Sequence, residues 1–207
     1  MRLAQKRSFA VLATLLSPVA AGFIGMSASL LLYPYAQAAF EAPAADGSGT
    51  SSLAQPAPSA PTRLVIPAIG VDAAVQSVGL AKSGNGAMGV PSNFTDVAWY
   101  DQGPLPGAPG DAVIDGHLDG RAVPEAVFYR LGDLAPGDAV LVEEQAGHLE
   151  RFVVTKVARY PYDADTSAIF AGDASGAHLN LITCAGDWLA GRHLYNERVV
   201  VFTTRAS

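Results

Sequence analysis

The chain has 207 residues, enough for one globular domain with some chain to spare. Its formal charge is −6, from 13 basic and 19 acidic side chains. This acidic balance argues against nucleic-acid binding, which needs a clustered basic face to neutralise phosphates. A single cysteine excludes an intrachain disulfide.

Residues 1–40 predict an N-terminal transmembrane helix. No charged side chain occurs in residues 8–40, and the apolar run 9–33 is longer than the ~20 residues that span a bilayer. Basic residues lie only on its N-terminal side, which predicts a single-pass anchor in the cell membrane with the remainder of the chain outside. The alternative is a signal peptide cleaved near Ala38, followed by secretion.

Residues 41–62 predict a disordered linker. They are rich in Pro, Ala, Ser and Gly, and Leu53 is their only large apolar side chain. Such a segment cannot bury enough apolar surface to fold. We therefore place the folded domain at residues 63–207.

The domain consists of short predicted strands separated by glycine and proline turn signals. Gly147 marks the turn of a predicted hairpin, and residues 124–131 form one short predicted helix. Many short strands with turns about every 8–12 residues indicate an all-β barrel or sandwich. The strands are predicted at residues 63–67, 71–76, 97–100, 111–115, 139–144, 149–159, 179–183 and 197–204.

Cys184 directly follows the alternating apolar run Leu179–Thr183, at a break marked by Ala-Gly-Asp. A thiol at a strand end is a common way to present a nucleophile, and the thiolate is the reactive form. In an exported protein a lone thiol is a liability, which favours a use for its reactivity. The alternative is a buried, inert cysteine.

Two residues are candidates to assist this thiol. His117 follows the predicted strand 111–115 and offers an acid or a base, although a structural histidine is the alternative. Arg198 begins an otherwise apolar strand, so that its burial would require a partner. A guanidinium beside a carbonyl oxygen stabilises an oxyanion and keeps its proton.

Other polar residues are weaker candidates. Asp115, His117 and Asp119 alternate along one strand face, but glycines interrupt the run and no second histidine is near, so we expect no metal and no cofactor. The acidic residues of segment 160–178 are expected to be solvated. Solvated turns are also expected for the remaining histidines, which are His148, His178 and His193. Two alternative cations are expected at less constrained positions, Arg192 in a loop and Arg205 near a frayed end.

Together these motifs resemble the sortases, the cysteine transpeptidases of Gram-positive surfaces. The signature L-x-T-C is Leu181–Cys184, a Gly-His pair follows another strand at 116–117, and Arg198 begins the terminal strand. Flanking segments extend the resemblance over residues 63–204. The details are most similar to class F or class E sortases of actinobacteria.

The resemblance implies an eight-stranded β-barrel with one or two short helices, and a reaction. Cys184 would attack a Leu-Pro-x-Thr-Gly-like sorting signal between Thr and Gly, with Arg198 stabilising the oxyanion and His117 acting as general acid and then base. Thr183 would line the substrate groove, and residues 160–178 would form its wall. The implied partners are surface proteins with a C-terminal sorting signal, and an amine of a peptidoglycan precursor or a pilin.

Two alternatives remain open at this point. A cysteine peptidase or amidase that hydrolyses cell-surface peptides would use the same three residues. A membrane-tethered β-barrel that only binds a partner would leave the thiol, the Gly-His pair and the arginine as coincidences.

Overall fold

The computed structural model describes residues 57–82, 86–171 and 175–206. The predicted anchor and most of the predicted linker lie outside these ranges. Within them, no helix has the length and apolar character needed to cross a membrane.

In the part of the chain that the structure describes, eight strands close into a single barrel. Around the barrel their order is 1-2-3-4-7-8-6-5, with parallel pairing of strands 2 and 3 and of strands 4 and 7. This confirms the eight-stranded β-barrel that the family resemblance implied. The strands are β1 (Pro61–Ile66), β2 (Val71–Val78), β3 (Val97–Tyr100), β4 (Gly110–Asp115), β5 (Ala139–Glu144), β6 (Leu149–Pro161), β7 (Ala177–Leu189) and β8 (Leu194–Arg205).

Helical structure is sparse among the described residues. The α-helix α1 (Ser167–Phe170) lies between β6 and β7, and 3₁₀ turns occur at Pro67–Ile69 and Leu131–Asp133. The helix predicted at residues 124–131 is wrong. Backbone N–H groups there bond to the loop after β4, from Ala126 to Leu118 and from Phe128 to His117, instead of to the preceding helical turn.

The barrel interior holds the main hydrophobic core. Strand β5 buries every second residue, as expected for one inner face. Strand β4 buries four successive residues, because Val113 on its outer side packs with Ile169 of α1 and Val200 of β8. Fully burying a large apolar side chain stabilises the fold by about 1.5–3 kcal/mol. The largest such side chains include Leu64, Ile66, Ile114, Phe128, Phe152, Leu179 and Leu181.

Strands β7 and β8 are longer than predicted, and this changes the setting of the thiol. Cys184 is not at a strand end, because β7 continues to Leu189. The Ala-Gly-Asp break is a bulge between Ala185 and Trp188, with Gly186 at φ 78°. The bulge is fixed by Asp187, whose N–H donates to the side chain of Asn196 at 2.7 Å. His178, predicted in a turn, lies within β7.

Candidate active site

Cys184 of β7 stands directly opposite Arg198 of β8. Residues opposite each other in an antiparallel pair have Cβ atoms about 4.5–5.5 Å apart and share one face of the sheet. The half-buried thiol and the guanidinium therefore belong to one site. Arg198 lies inside β8 and not at its start, because the hairpin continues past the bulge.

His117 reaches the same site from β4. Parallel pairing places Asp115 of β4 opposite Ile182 of β7, and the N–H of Gly116 donates to the Ile182 carbonyl at 3.2 Å. A Cβ at position 116 would lie 2.5 Å from the Phe128 ring, so glycine is required directly before the histidine. The structure thus brings His117 to the β7–β8 hairpin that carries Cys184 and Arg198.

A cleft of about 820 Å³ contains all three predicted catalytic residues. One bank consists of residues 117–121, after β4, and the other comes from the β7–β8 hairpin, including Trp188 and Tyr195. Segment 160–178 supplies none of the described residues that line this cleft, and its role as a wall of the substrate groove stays a prediction. Helix α1 packs instead on the outside of the barrel, where the side chain of Asn180 donates to the Ile169 carbonyl.

Thr183 connects the strand of the thiol to the loop of the histidine. Its side chain is only 1% exposed, and its Oγ1 donates to the Gly116 carbonyl at 2.7 Å. The hydroxyl therefore holds the backbone before His117 against β7. Thr183 also borders a cavity of about 160 Å³ that reaches Cys184. Its contact with substrate stays a prediction.

The charge environment of Cys184 is mixed. Burial raises the pKa of the thiol above its ordinary value, the Arg198 guanidinium lowers it, and the carboxylates of Asp115 and Asp119 raise it. Burial also raises the pKa of Asp115 to about 7, against the opposing effect of Arg198. The resting residue is therefore mainly a thiol at neutral pH, and Arg198 is the group that favours the thiolate.

Asp119 and Tyr195 form a pair that the sequence did not reveal. The Tyr195 hydroxyl donates to Asp119 Oδ2, which links the two banks of the cleft, and this bond raises the pKa of Tyr195 to about 12. Trp188, 52% exposed, places its ring 5.2 Å from that of Tyr195. The only sequence signal was the concentration of aromatic residues around a short turn.

The other candidate residues have different partners. Asp119 bonds to Tyr195, and among the described residues no group of three or more His, Cys, Asp or Glu side chains is arranged to hold a metal. Exposed Arg192 donates to the Tyr162 hydroxyl, and Arg205 pairs with buried Glu150. His148 also contacts Glu150, at 2.9 Å, whereas His193 is exposed at the cleft mouth.

We expect Asp119→Asn to lower the pKa of Cys184. The carboxylate opposes thiolate formation, so removing its charge shifts the midpoint of the thiol titration to lower pH. The amide oxygen of the asparagine can still accept the hydrogen bond from Tyr195. The measurement is the rate of alkylation of Cys184 by iodoacetamide as a function of pH. Asp138→Asn, in a turn away from the cleft, serves as control. An unchanged or higher midpoint in Asp119→Asn would contradict the assignment.

Comparison with known proteins identifies the family. Residues 64–206 match the family model described as Sortase domain. The chain belongs to the sortase family. This confirms the resemblance drawn from Leu181–Cys184, His117 and Arg198. A comparison with curated protein sequences finds no match.

Solved sortases share the fold of this sortase domain. Sortase C-1 from Actinomyces oris has 21% identity and a TM-score of 0.55, covering 70% of this chain and 73% of that chain. The lid mutant of sortase A from Corynebacterium diphtheriae has 18% identity and a TM-score of 0.56, covering 74% and 73%. Sortase C from Clostridium perfringens SM101 has 16% identity and a TM-score of 0.52, covering 71% and 70%. At these identities the likeness establishes the fold and not the class.

Proposed function

We propose that this sortase is a cysteine transpeptidase that cleaves a Leu-Pro-x-Thr-Gly-like sorting signal through a thioacyl intermediate on Cys184. It then transfers the acyl group to an amine of a peptidoglycan precursor or a pilin. The observation that carries the proposal is the direct cross-strand pairing of Cys184 with Arg198, with His117 in the same cleft. These are the nucleophile, the oxyanion donor and the proton carrier that acyl transfer needs.

Arg198 is oriented for an oxyanion by its own strand. Its Nη1 donates to the carbonyls of Glu197 at 2.8 Å and Tyr195 at 3.2 Å. In the part of the chain that the structure describes, Nε and Nη2 have no protein acceptor. These groups can therefore donate to the negative oxygen that develops when the thiolate attacks the threonine carbonyl.

The proposed reaction has two balanced halves. In the first, the Cys184 sulfur forms a bond to the threonine carbonyl carbon, the peptide C–N bond breaks, and the His117 imidazolium gives a proton to the leaving glycine nitrogen. In the second, the acceptor amine forms a C–N bond to the thioester carbon. Neutral His117 takes a proton from this amine, the C–S bond breaks, and the Cys184 thiolate returns.

The cellular setting is part of the same proposal. The charge pattern around residues 9–33 supports a membrane anchor with an extracellular catalytic domain, and the motifs favour class F or class E. N-terminal sequencing of the mature protein from membranes would test the anchor. An intact N-terminus supports retention, whereas a new terminus near residue 39 supports cleavage and secretion.

Mass spectrometry of reaction products tests the transpeptidase proposal. A Leu-Pro-x-Thr-Gly peptide is incubated with the full chain, with and without triglycine as the amine acceptor. We expect a product in which triglycine replaces the original glycine segment, and a thioester adduct on Cys184. Hydrolysis alone in both samples would support the peptidase or amidase alternative. No cleavage of any peptide in a sorting-signal panel would support the binding module.

Arg198→Ala should lower kcat/KM by ~10²-fold or more, since removing one oxyanion donor typically costs this much. The side chain stands opposite the nucleophile, and no other lining cation occupies that position in the β7–β8 pair. Arg192→Ala is the matched control, because that guanidinium is exposed and bonds to Tyr162. Peptide-cleavage kinetics compare the two variants. Equal effects at both positions would overturn the role of Arg198.

A further inference from the structure

The ring of His117 is held on two sides by the loop 91–96, which precedes β3. Its Nε2 lies 3.0 Å from the carbonyl oxygen of buried Pro91. The ring of Phe94 lies against the imidazole, with 5.0 Å between the ring centroids. Because a carbonyl oxygen only accepts hydrogen bonds, this contact requires a hydrogen on Nε2. The Pro91 carbonyl therefore determines which imidazole nitrogen carries the proton in the neutral ring.

Asn93 fixes the conformation of this loop from within. Its Oδ1 accepts from the N–H groups of Thr95 at 3.0 Å and Asp96 at 2.7 Å. Its Nδ2 donates to Asp96 Oδ2 at 2.7 Å. An Asn side chain that caps its own following residues replaces the backbone bonds that a helix or sheet would supply.

Gln76 of β2 fixes the same loop from the barrel. Its Oε1 accepts from the N–H of Ser92 at 3.0 Å, and its Nε2 donates to Asp96 Oδ2 at 2.8 Å. The hydrogen bonds from Gln76 and Asn93 hold the pKa of Asp96 below its usual range, so this carboxylate stays an acceptor at neutral pH. The backbone around Pro91 is thus tied directly to a barrel strand.

Phe94 is positioned by the segment between β4 and β5, which includes the loop 117–121. Its carbonyl accepts from the N–H of Val127 at 3.0 Å, and a Cβ at Gly120 would lie 2.5 Å from its ring. The aromatic ring therefore fits only against a glycine on the segment after β4. Loop 91–96 and loop 117–121 hold each other in place, with the imidazole between them.

We propose that loop 91–96 holds His117 as the Nε2–H tautomer, so that Nδ1 is the nitrogen that exchanges protons with the substrate amines. The inference rests on the proposed transpeptidase function. Both nitrogens of the imidazolium carry hydrogen, and Nδ1 gives its proton to the leaving glycine nitrogen. Nε2 keeps its own hydrogen and its bond to Pro91. The lone pair left on Nδ1 then takes the proton of the acceptor amine. Asn93, Gln76 and Phe94 are positioning residues in this arrangement.

Nitrogen NMR of the full chain in detergent tests the tautomer directly. The protein is prepared with ¹⁵N-labelled histidine, and the signals of His117 are assigned by their loss in His117→Gln. At a pH where the ring is neutral, we expect Nε2 to resonate as a protonated nitrogen and Nδ1 as an unprotonated one. A protonated Nδ1, or averaged signals from both tautomers, would overturn the proposal. This measurement needs no substrate and is independent of turnover.

Variants of the loop test the positioning role. Asn93→Ala removes the internal cap, and we expect averaged tautomer signals together with a fall in kcat on the order of 10-fold at an unchanged KM. Asp138→Ala is the matched control, because it removes one side-chain cap of a backbone N–H in a turn away from the cleft. Control signals and kcat should equal those of the wild type.

A second variant keeps the test decisive if Asn93→Ala fails to fold. Gln76→Ala removes the two bonds on the barrel side of the loop and should give the same mixed tautomers and lower kcat. An unchanged Nε2–H ring in whichever variants fold would overturn the positioning role. The wild-type protein could show the expected tautomer of His117 and yet turn over no sorting peptide. That result would overturn the transpeptidase function and the proton transfer from Nδ1. The hydrogen bond to Pro91 would stand.

Discussion

Replacing Cys184 with alanine should abolish cleavage of a Leu-Pro-x-Thr-Gly peptide. The proposed reaction forms a bond from the Cys184 sulfur to carbon, and the sequence has a single cysteine, so no second thiol can substitute for it. A fluorogenic peptide measures cleavage, and mass spectrometry checks for the thioester. Undiminished turnover in Cys184→Ala would show that Cys184 is not the nucleophile.

Serine at position 184 separates chemistry from folding. Cys184→Ser keeps the side-chain shape and the position opposite Arg198, but an alkoxide forms far less readily than a thiolate. We expect a folded, inactive protein that still binds the peptide. A thiol-reactive probe at alkaline pH gives an independent check on the wild type. Because Cys184 is mainly a thiol at neutral pH, an accessible nucleophile should label fast once it ionises, whereas an inert buried cysteine would still react slowly.

The three candidate catalytic residues could be selected from the sequence because each carries a local signal. Cys184 ends an alternating apolar run, His117 follows a glycine at a strand end, and Arg198 is a charge inside an apolar strand. The structure gives each signal a cause. Gly116 fits against Phe128, and Arg198 pairs across the hairpin with the thiol. Residue types at strand positions were sufficient to select three residues that the structure brings into one cleft.

The pair Asp119–Tyr195 could not be predicted in this way. The two residues are 76 positions apart and meet only because the parallel β4–β7 pair and the antiparallel β7–β8 pair bring both banks of the cleft together. Hydrophobic periodicity predicts which face of a strand is buried, but it does not give the partner strand. Contacts across strands that are distant in sequence therefore require the fold.

The end of strand β7 and the region 124–131 were also predicted incorrectly from the sequence. Gly186 was interpreted as a break, whereas its positive φ accommodates a bulge through which β7 continues. The region 124–131 has a proline near its start, as a helix often does, but the N–H groups of Ala126 and Phe128 bond to the loop after β4. In both places tertiary hydrogen bonds outweigh the local preference.

His117→Ala should lower kcat/KM for the peptide by ~10²-fold or more, because positioned acid–base groups typically contribute 10²–10⁴-fold. The amine that leaves in the first half-reaction is a very poor leaving group without a proton. The loss should therefore appear in kcat, with little change in KM. Kinetics of the fluorogenic peptide measure both. His178→Gln, in the part of β7 distant from Cys184, is the control and should leave both parameters unchanged.

An ester substrate distinguishes a general acid from a residue that only supports the fold. When an ester replaces the Thr-Gly amide, the leaving alcohol needs protonation much less than an amine does, so His117→Ala should lose far less activity in the acylation step. Single-turnover formation of the thioester on Cys184 measures this step alone. A structural defect would slow ester and amide equally, since both need the same thiolate and the same Arg198 donor. An equal loss on the two substrates would therefore remove the acid–base role from His117 while leaving Cys184 as the nucleophile.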